Sequence, residues 1–146
     1  MSFDNAISNY NINIPSVFQD RIKRFCGSSS EGKYSAEYVP FERQVDVWFF
    51  SMLYAFNKSL KPVKYDDTYN AIGASILSTD SYRSNLIQLI AVSYYEDVGV
   101  LIDPRKVFDL CLGLANAGLP MVLDILETAD QNPLWNLFDE IEEIAS

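Results

Sequence analysis

The chain has 146 residues, of which 49% are hydrophobic and 14% aromatic, and this is enough apolar material for the core of one domain. It contains two cysteines and no histidine, which excludes Ser-His and Cys-His catalytic pairs and leaves too few ligands for a conventional zinc site. The net charge of −9 is unevenly distributed, because residues 1–64 carry +2 and residues 65–146 carry −11.

The N-terminal part of the chain is predicted to contain an extended arm and a short helix. Residues 10–14 alternate polar and apolar side chains, which is the pattern of a strand or extended arm, and Pro15 ends it. Ser16 and Gln19 have the spacing of a capping box, so they predict the start of a helix. That helix stops at the Gly- and Ser-rich residues 27–32, which have the composition of a flexible loop.

The clearest helical pattern of the sequence begins at Phe41 and ends at Lys61-Pro62. Its apolar residues recur at spacings of three and four over about five turns. They predict a helix that is covered on more than one side, as the central helix of a bundle is. These residues are Phe41, Val45, Trp48, Met52, Phe56 and Leu60.

Two further helices are predicted between residues 66 and 99. Asp66 or Asp67 is placed to cap the first of them. Residues 79–81 are placed to cap the second, which ends before Gly99. The apolar face of the first helix would hold Tyr69, Ile72, Ile76 and Leu77.

Paired cap and proline signals mark the helices of the C-terminal part. Asp103-Pro104 and Asn132-Pro133 each combine an N-cap acceptor with a proline at the first helical position. Gly118 is placed to stop the first of these helices, and Pro120 is placed to open a separate short one.

These elements predict an all-α fold, a compact bundle of about six or seven mostly short helices with a small extended N-terminal segment. We predict a single helical domain over residues 1–146, in which residues 1–40 form the N-terminal arm, short helix and loop, and residues 41–146 form the helical core. The apolar run of residues 110–123 is interrupted by an asparagine and a proline and is shorter than the roughly 18 to 20 residues that a bilayer requires. We therefore expect no membrane contact and a cytoplasmic protein.

The sequence offers no recognisable catalytic or cofactor-binding constellation. It contains neither GxxxxGK[ST] nor GxGxxG, and adjacent carboxylates such as Asp66-Asp67 point in different directions on a helix. Basic neighbours favour the thiolate of Cys26, but no second cysteine is close to it, so a small residue at a helix end is the preferred interpretation. Cys111 lies between two leucines and is interpreted as a core residue. We predict a protein that is not an enzyme and has no cofactor or metal.

The candidate binding residues lie in the mildly basic N-terminal part. Basic side chains are interleaved there with aromatic rings, a combination that suits single-stranded nucleic acid, an acidic protein partner or a solvated surface. Trp48 is interpreted either as a core residue or as part of a partner interface, where Trp and Arg are enriched. The candidate residues are Arg21, Lys23, Arg24, Lys33, Arg43 and Trp48.

The leading functional prediction is a non-catalytic protein–protein interaction subunit or adaptor of a larger assembly, which binds a protein partner or a second copy of itself. By analogy alone, small helical proteins of this kind are typical accessory components of bacterial or phage systems. One alternative is a nucleic-acid-binding accessory protein that uses the basic N-terminal third, in a DNA-modification or defence system. Another is an acidic DNA-mimic inhibitor, since acidic residues cluster near the C-terminal end of the last helix, where they oppose its dipole and indicate that a cation or partner lies nearby. These residues are Asp139, Glu140, Glu142 and Glu143.

Overall fold

The structure is a computed structural model that describes residues 2–27, 36–129 and 131–145. These residues are mostly helical and also form a small two-stranded sheet. The α-helices are α1 (Phe3–Ile7), α2 (Gln19–Lys23), α3 (Gln44–Asn57), α4 (Ser81–Tyr95), α5 (Pro104–Glu127) and α6 (Pro133–Ala145). The strands are β1 (Asn11–Pro15) and β2 (Thr68–Gly73), and short 3-10 helices cover Ser16–Phe18, Ala74–Ser78 and Val98–Ile102.

The sheet corrects the prediction of an all-α fold. β1 pairs with β2 in antiparallel orientation, from Asn11 opposite Gly73 to Pro15 opposite Thr68, with an irregularity after Ile12. The extended N-terminal segment is therefore confirmed, whereas the helix predicted to follow Asp66 or Asp67 was wrong. Its expected apolar face is divided between β2 and the 3-10 helix Ala74–Ser78, because pairing with β1 satisfies the backbone of this segment.

The centre of the protein is the contact between α3 and α5. α3 buries Trp48, Met52 and Ala55 completely, which confirms a helix where the spacing of the apolar residues predicts one. It is shorter than predicted, because Phe41 and Leu60 lie outside it. α5 lies so close to it that a Cβ atom on Gly118 would be 2.1 Å from the backbone oxygen of Ser51. Gly118 therefore allows two helices to touch and does not stop α5, contrary to the prediction.

α5 is one continuous helix of 24 residues, with Pro120 inside it. By length and composition it could cross a membrane, so the expectation that this run is too short was wrong. However, 61% of its most apolar window is buried inside the protein, which is the pattern of a core helix. Length alone is thus weak evidence for a membrane span.

Two of the predicted helix starts are confirmed by their caps. The Asp103 carboxylate accepts a hydrogen bond from the backbone N–H of Lys106 at 3.2 Å, and the Asn132 side chain accepts one from Trp135 at 3.1 Å. The capping box predicted at Ser16 is not formed, because this hydroxyl donates to the Asp67 carboxylate at 3.0 Å and fastens the end of β1 to the start of β2.

Candidate protein-interaction surface

Arg21 projects from α2 onto the C-terminal end of α5. Its Nε donates to Glu127 Oε2 at 2.9 Å and its Nη2 to Glu127 Oε1 at 2.7 Å, while Nη2 also donates to Asp124 Oδ1 at 3.0 Å. The hydrogen bonds between Arg21 and Glu127 hold the pKa of the carboxyl below its usual range and raise the pKa of the guanidinium. The charge of Arg21 is therefore compensated within the protein and fastens α2 to α5.

The other candidate cations have different surroundings. Arg24 is mostly exposed, with one Nη 3.9 Å from Glu127, and Lys23 is also exposed. Arg43 precedes α3, and its Nη2 lies 3.6 Å from Asp46 Oδ1. Lys33 lies outside the described residues. Binding by this group of residues stays a prediction.

Trp48 belongs to the core. It is 0% exposed, so the interpretation in which its ring contacts a partner was wrong. Its position on α3 explains why, since this helix packs against α5 and also contacts β2. The alternative interpretation of Trp48 as a core residue is confirmed.

The two cysteines are buried and are not joined in a disulfide. Burial raises the pKa of each thiol to about 12, and the nearby charge of Asp46 adds to this effect at Cys26. Neither side chain therefore carries a thiolate near neutral pH, which removes the reactive interpretation of Cys26.

α6 is fastened to the rest of the protein along one side. Leu137 is buried, and the Asn136 amide nitrogen donates to the backbone oxygens of Thr128 at 2.8 Å and Gln131 at 3.3 Å. These bonds hold the start of α6 against the end of α5, because they satisfy carbonyl groups in the connection between the two helices.

A second attachment joins the middle of α6 to α3. The Tyr54 hydroxyl donates to Glu140 Oε1 at 3.1 Å, and Lys58 Nζ lies 3.7 Å from the same oxygen. Burial raises the pKa of Tyr54 to about 12, and the hydrogen bond to Glu140 adds to this. Since α6 is held through two residues of one side, Asn136 and Glu140, the orientation of its outer side is fixed.

The outer side of α6 presents large apolar side chains to solvent. Trp135, Phe138 and Ile141 recur every three residues and are 45%, 46% and 44% exposed. The rings of Trp135 and Phe138 meet edge to face, with centroids 5.6 Å apart. We call these three residues the α6 apolar face.

Carboxylates border this face. Asp139, Glu142 and Glu143 are exposed and lie beside the apolar residues on the helix surface. Asp139 accepts a hydrogen bond from the Gln131 side chain, which links it to the connection before α6. We call Asp139, Glu142 and Glu143 the acidic flank.

The turn at residues 36–38 lies beside the start of α6. The backbone N–H of Leu134 donates to the Glu37 carbonyl at 2.9 Å, and Tyr38 is 56% exposed. Tyr38 therefore places a third exposed aromatic ring one residue away from the hydrogen bond between Glu37 and Leu134. The surface combines aromatic, aliphatic and acidic groups, and such a mixture is suited to binding rather than to chemistry.

Sequence reasoning assigned the apolar residues of α6 to the helix but did not identify this surface. The pattern contains a signal for it, because the apolar residues spread over more of the helix circumference than one buried stripe requires. Among the described residues, His, Cys, Asp and Glu side chains do not gather in any group of three or more that could hold a metal ion. Comparison with protein families, curated protein sequences and solved structures found no match for this chain.

Proposed function

We propose that the protein is a non-catalytic interaction subunit that binds a partner protein through α6. The observation that carries the proposal is the α6 apolar face, in which three large side chains are nearly half exposed on a helix that Asn136 and Glu140 hold in place. Exposed aromatic residues on a rigid element are typical of interface centres, where Trp is enriched among the residues that contribute most to affinity.

The charge of the surface specifies the partner. An apolar segment that docks on the α6 apolar face meets the acidic flank at its edge, so Lys or Arg residues beside the segment gain favourable contacts. A second copy of this chain would instead bring two acidic flanks together. We therefore infer a different protein, whose docking segment is an amphipathic helix or strand with a basic border.

The size of the exposed face sets the expected energetic effect. Trp135 and Phe138 each leave roughly 70–110 Å² in solvent, since a large aromatic side chain contributes about 150–250 Å² in all and slightly less than half of each is exposed. Removing one aromatic anchor from the centre of an interface costs about 2 kcal/mol, which corresponds to about a 30-fold loss of affinity.

Nucleic-acid binding by the basic N-terminal third ranks below this proposal. Arg21 already donates to Glu127 and Asp124, so binding a phosphate requires that these hydrogen bonds be exchanged. A protein of that class would bind DNA or RNA at low salt and lose affinity on Arg24→Ala.

The experiment compares proteins that co-purify with three versions of the chain from its native cells. The first is the unchanged protein, the second carries Trp135→Gln and Phe138→Gln, and the third carries Leu89→Gln. Leu89 is 63% exposed on α4 and is a matched control for loss of an exposed apolar side chain. Circular dichroism of each purified version checks that α6 is intact.

We expect one protein to be recovered with the unchanged chain and with Leu89→Gln but not with the double variant. Its recovery should decrease as ionic strength increases, since the acidic flank contributes through charge. The proposal is refuted if the double variant recovers the same proteins as the unchanged chain.

A further inference from the structure

The connection between α4 and α5 carries the two most exposed large apolar side chains of the described residues. Val98 is 70% exposed and Ile102 is 88% exposed, and they stand at the two ends of the 3-10 helix Val98–Ile102. Because a 3-10 helix rises about 2 Å per residue, they lie about 8 Å apart along its axis. Single exposed apolar residues are ordinary on protein surfaces, but two such residues in one short element indicate an interaction surface.

This connection is held in a fixed conformation. Val100, in the middle of the 3-10 helix, is buried. The Asp97 carboxylate accepts a hydrogen bond from the backbone N–H of Gly99 at 2.8 Å, and the Asp103 carboxylate accepts one from the backbone N–H of Lys106 at 3.2 Å. The exposed side chains are therefore presented by a preorganised element, which lowers the entropic cost of binding through them.

Two tyrosines join the end of α4 to the start of α5 beside this element. Tyr94 is half-exposed, and its ring meets the ring of Tyr95 edge to face, with centroids 5.0 Å apart. Lys106 Nζ lies over the Tyr95 ring, 4.5 Å from its centroid. These groups and the 3-10 helix lie together where α4 ends and α5 begins. We call Tyr94, Val98 and Ile102 the connection patch.

Two charges beside the connection patch oppose the dipoles of their own helices. Glu96 is the C-cap residue of α4, where the dipole favours a cation. Lys106 is the third residue of α5, where the dipole favours an anion. Neither side chain makes an ion pair with another described residue, whereas the two other basic residues of 65–146, Arg83 and Arg105, both do.

The remaining charged side chains of this surface already have partners. The two aspartates that flank the 3-10 helix accept the hydrogen bonds from backbone N–H groups given above. Arg105 Nε lies 3.1 Å from Asp109 Oδ1, and the guanidinium lies over the ring of Tyr10 at 4.7 Å. Glu96 and Lys106 therefore supply one charge of each sign without an ion-pair partner among the described residues.

From this combination we infer that the connection patch is the interface between two copies of this chain, related by a two-fold axis. A two-fold interface brings the same surface of both copies together, so that surface must complement itself. Here apolar side chains meet at the centre, and Glu96 of each copy lies at Lys106 of the other. Each carboxylate then lies near the N-terminal end of an α5 helix, and each ammonium group near the C-terminal end of an α4 helix, which reverses both unfavourable placements.

The α6 apolar face is a separate surface. Its acidic flank repels a second copy, whereas the connection patch has a charge of each sign beside it. The two surfaces share no residue, so self-association and the binding of a partner protein through α6 are independent of each other.

The test is sedimentation equilibrium of the full chain at concentrations from about 10 μM to about 1 mM. The connection patch is small compared with a permanent interface, which buries about 800 Å² or more on each partner. We therefore expect a weak, reversible dimer with a Kd on the order of 100 μM. A chain that stays monomeric at about 1 mM overturns the inference.

Apolar variants locate the interface. Val98→Gln and Ile102→Gln should each raise the Kd about tenfold or more, because a symmetric interface loses the apolar contact in both copies. Val17→Gln is the matched control, since Val17 is 69% exposed on a different 3-10 helix, and it should leave the Kd unchanged. The double variant of the α6 apolar face should also leave it unchanged. Dimerisation that survives Ile102→Gln, or that the α6 variant abolishes, contradicts the inference.

Charge variants test the two-fold pairing. Glu96→Lys and Lys106→Glu each place like charges at both contacts of the dimer, so each should raise the Kd about tenfold. An equal mixture of the two variants should associate within about threefold of the unchanged chain, because a dimer with one copy of each has opposite charges at both contacts again. A loss of folding cannot produce this recovery. If the mixture associates no better than either variant alone, the inference is wrong.

Discussion

The close contact of α3 and α5 makes a strong prediction for Gly118→Ala. The added Cβ atom would lie 2.1 Å from the Ser51 oxygen, 2.9 Å from the Ser51 carbonyl carbon and 3.3 Å from Ala55 Cβ. Ordinary contacts begin at 3.4 Å, so the helices must separate by about 1.3 Å, the difference between 3.4 and 2.1 Å. The obstructing atoms belong to the backbone of α3, and a side-chain rotation therefore cannot relieve the clash.

The expected cost follows from two opposing effects. Alanine is favoured over glycine inside a helix by about 1 kcal/mol, which stabilises the variant. Against this, overpacking a core costs about 1–3 kcal/mol. When the two helices separate, their other contacts also weaken, because a gap of about 0.5–1 Å removes about a quarter to a half of the dispersion energy of a contact. Since the separation affects the whole interface around Met52 and Ala55, the cost lies at the upper end of this range, and we expect a net loss of about 2 kcal/mol, the difference between about 3 and about 1 kcal/mol.

Urea denaturation followed by circular dichroism measures this difference as a change in the free energy of unfolding. Gly113→Ala is the matched control, because its Cβ atom would meet the side chain of the exposed Pro62 at 2.6 Å and no backbone atom closer than 3.3 Å. We expect it to cost less than Gly118→Ala. Equal stability of Gly118→Ala and the unchanged protein, or a larger loss in the control, would refute the close packing of α3 on α5.

Three further predictions concern buried or paired polar groups. Arg21→Gln should lower the free energy of unfolding by about 1 kcal/mol at neutral pH. Because Arg21 lowers the pKa of Glu127, this contribution is complete above the ordinary pKa of 4.5 and disappears as the pH falls through the lower pKa of the folded protein. Plots of unfolding free energy against pH for the variant and the unchanged protein should therefore meet in acid. Cys26 and Cys111 should resist a thiol reagent at pH 8 until the chain unfolds, since burial raises the pKa of both to about 12, and rapid labelling of the native protein would contradict this. Ser51→Ala should leave the free energy of unfolding unchanged or raise it by up to about 1 kcal/mol, because the buried hydroxyl has no hydrogen-bond partner among the described residues, and a clear loss in urea denaturation would count against this.

Local signals in the sequence predicted those parts of the fold that depend on neighbouring residues. Asp103-Pro104 and Asn132-Pro133 begin helices because the cap, the proline and the first turn are adjacent in the chain. Residues 68–73 were assigned to a helix because Tyr69 and Ile72 are three apart, a spacing that agrees with a helical face. Their true partner is β1, more than fifty residues earlier, and no local pattern contains that pairing.

Gly118 shows the same limit in another way. A glycine after an apolar helical run is typical of a helix end, but here it allows contact with Ser51 on a different helix.

The α6 apolar face was missed for a related reason. The sequence places Leu137, Phe138 and Ile141 in one amphipathic helix, yet only the packing of α6 decides that Leu137 is buried and the other two are exposed.

The measurement that tests the proposed function most directly is photo-cross-linking from the α6 apolar face in native cells. A photoreactive phenylalanine analogue replaces Phe138 in one version of the chain and Leu89 in the control, and mass spectrometry identifies the attached peptide. We predict that position 138 alone attaches to one other protein, at a peptide that carries apolar residues beside Lys or Arg. Equal attachment from both positions, or attachment of position 138 to a second copy of this chain, would contradict the proposal.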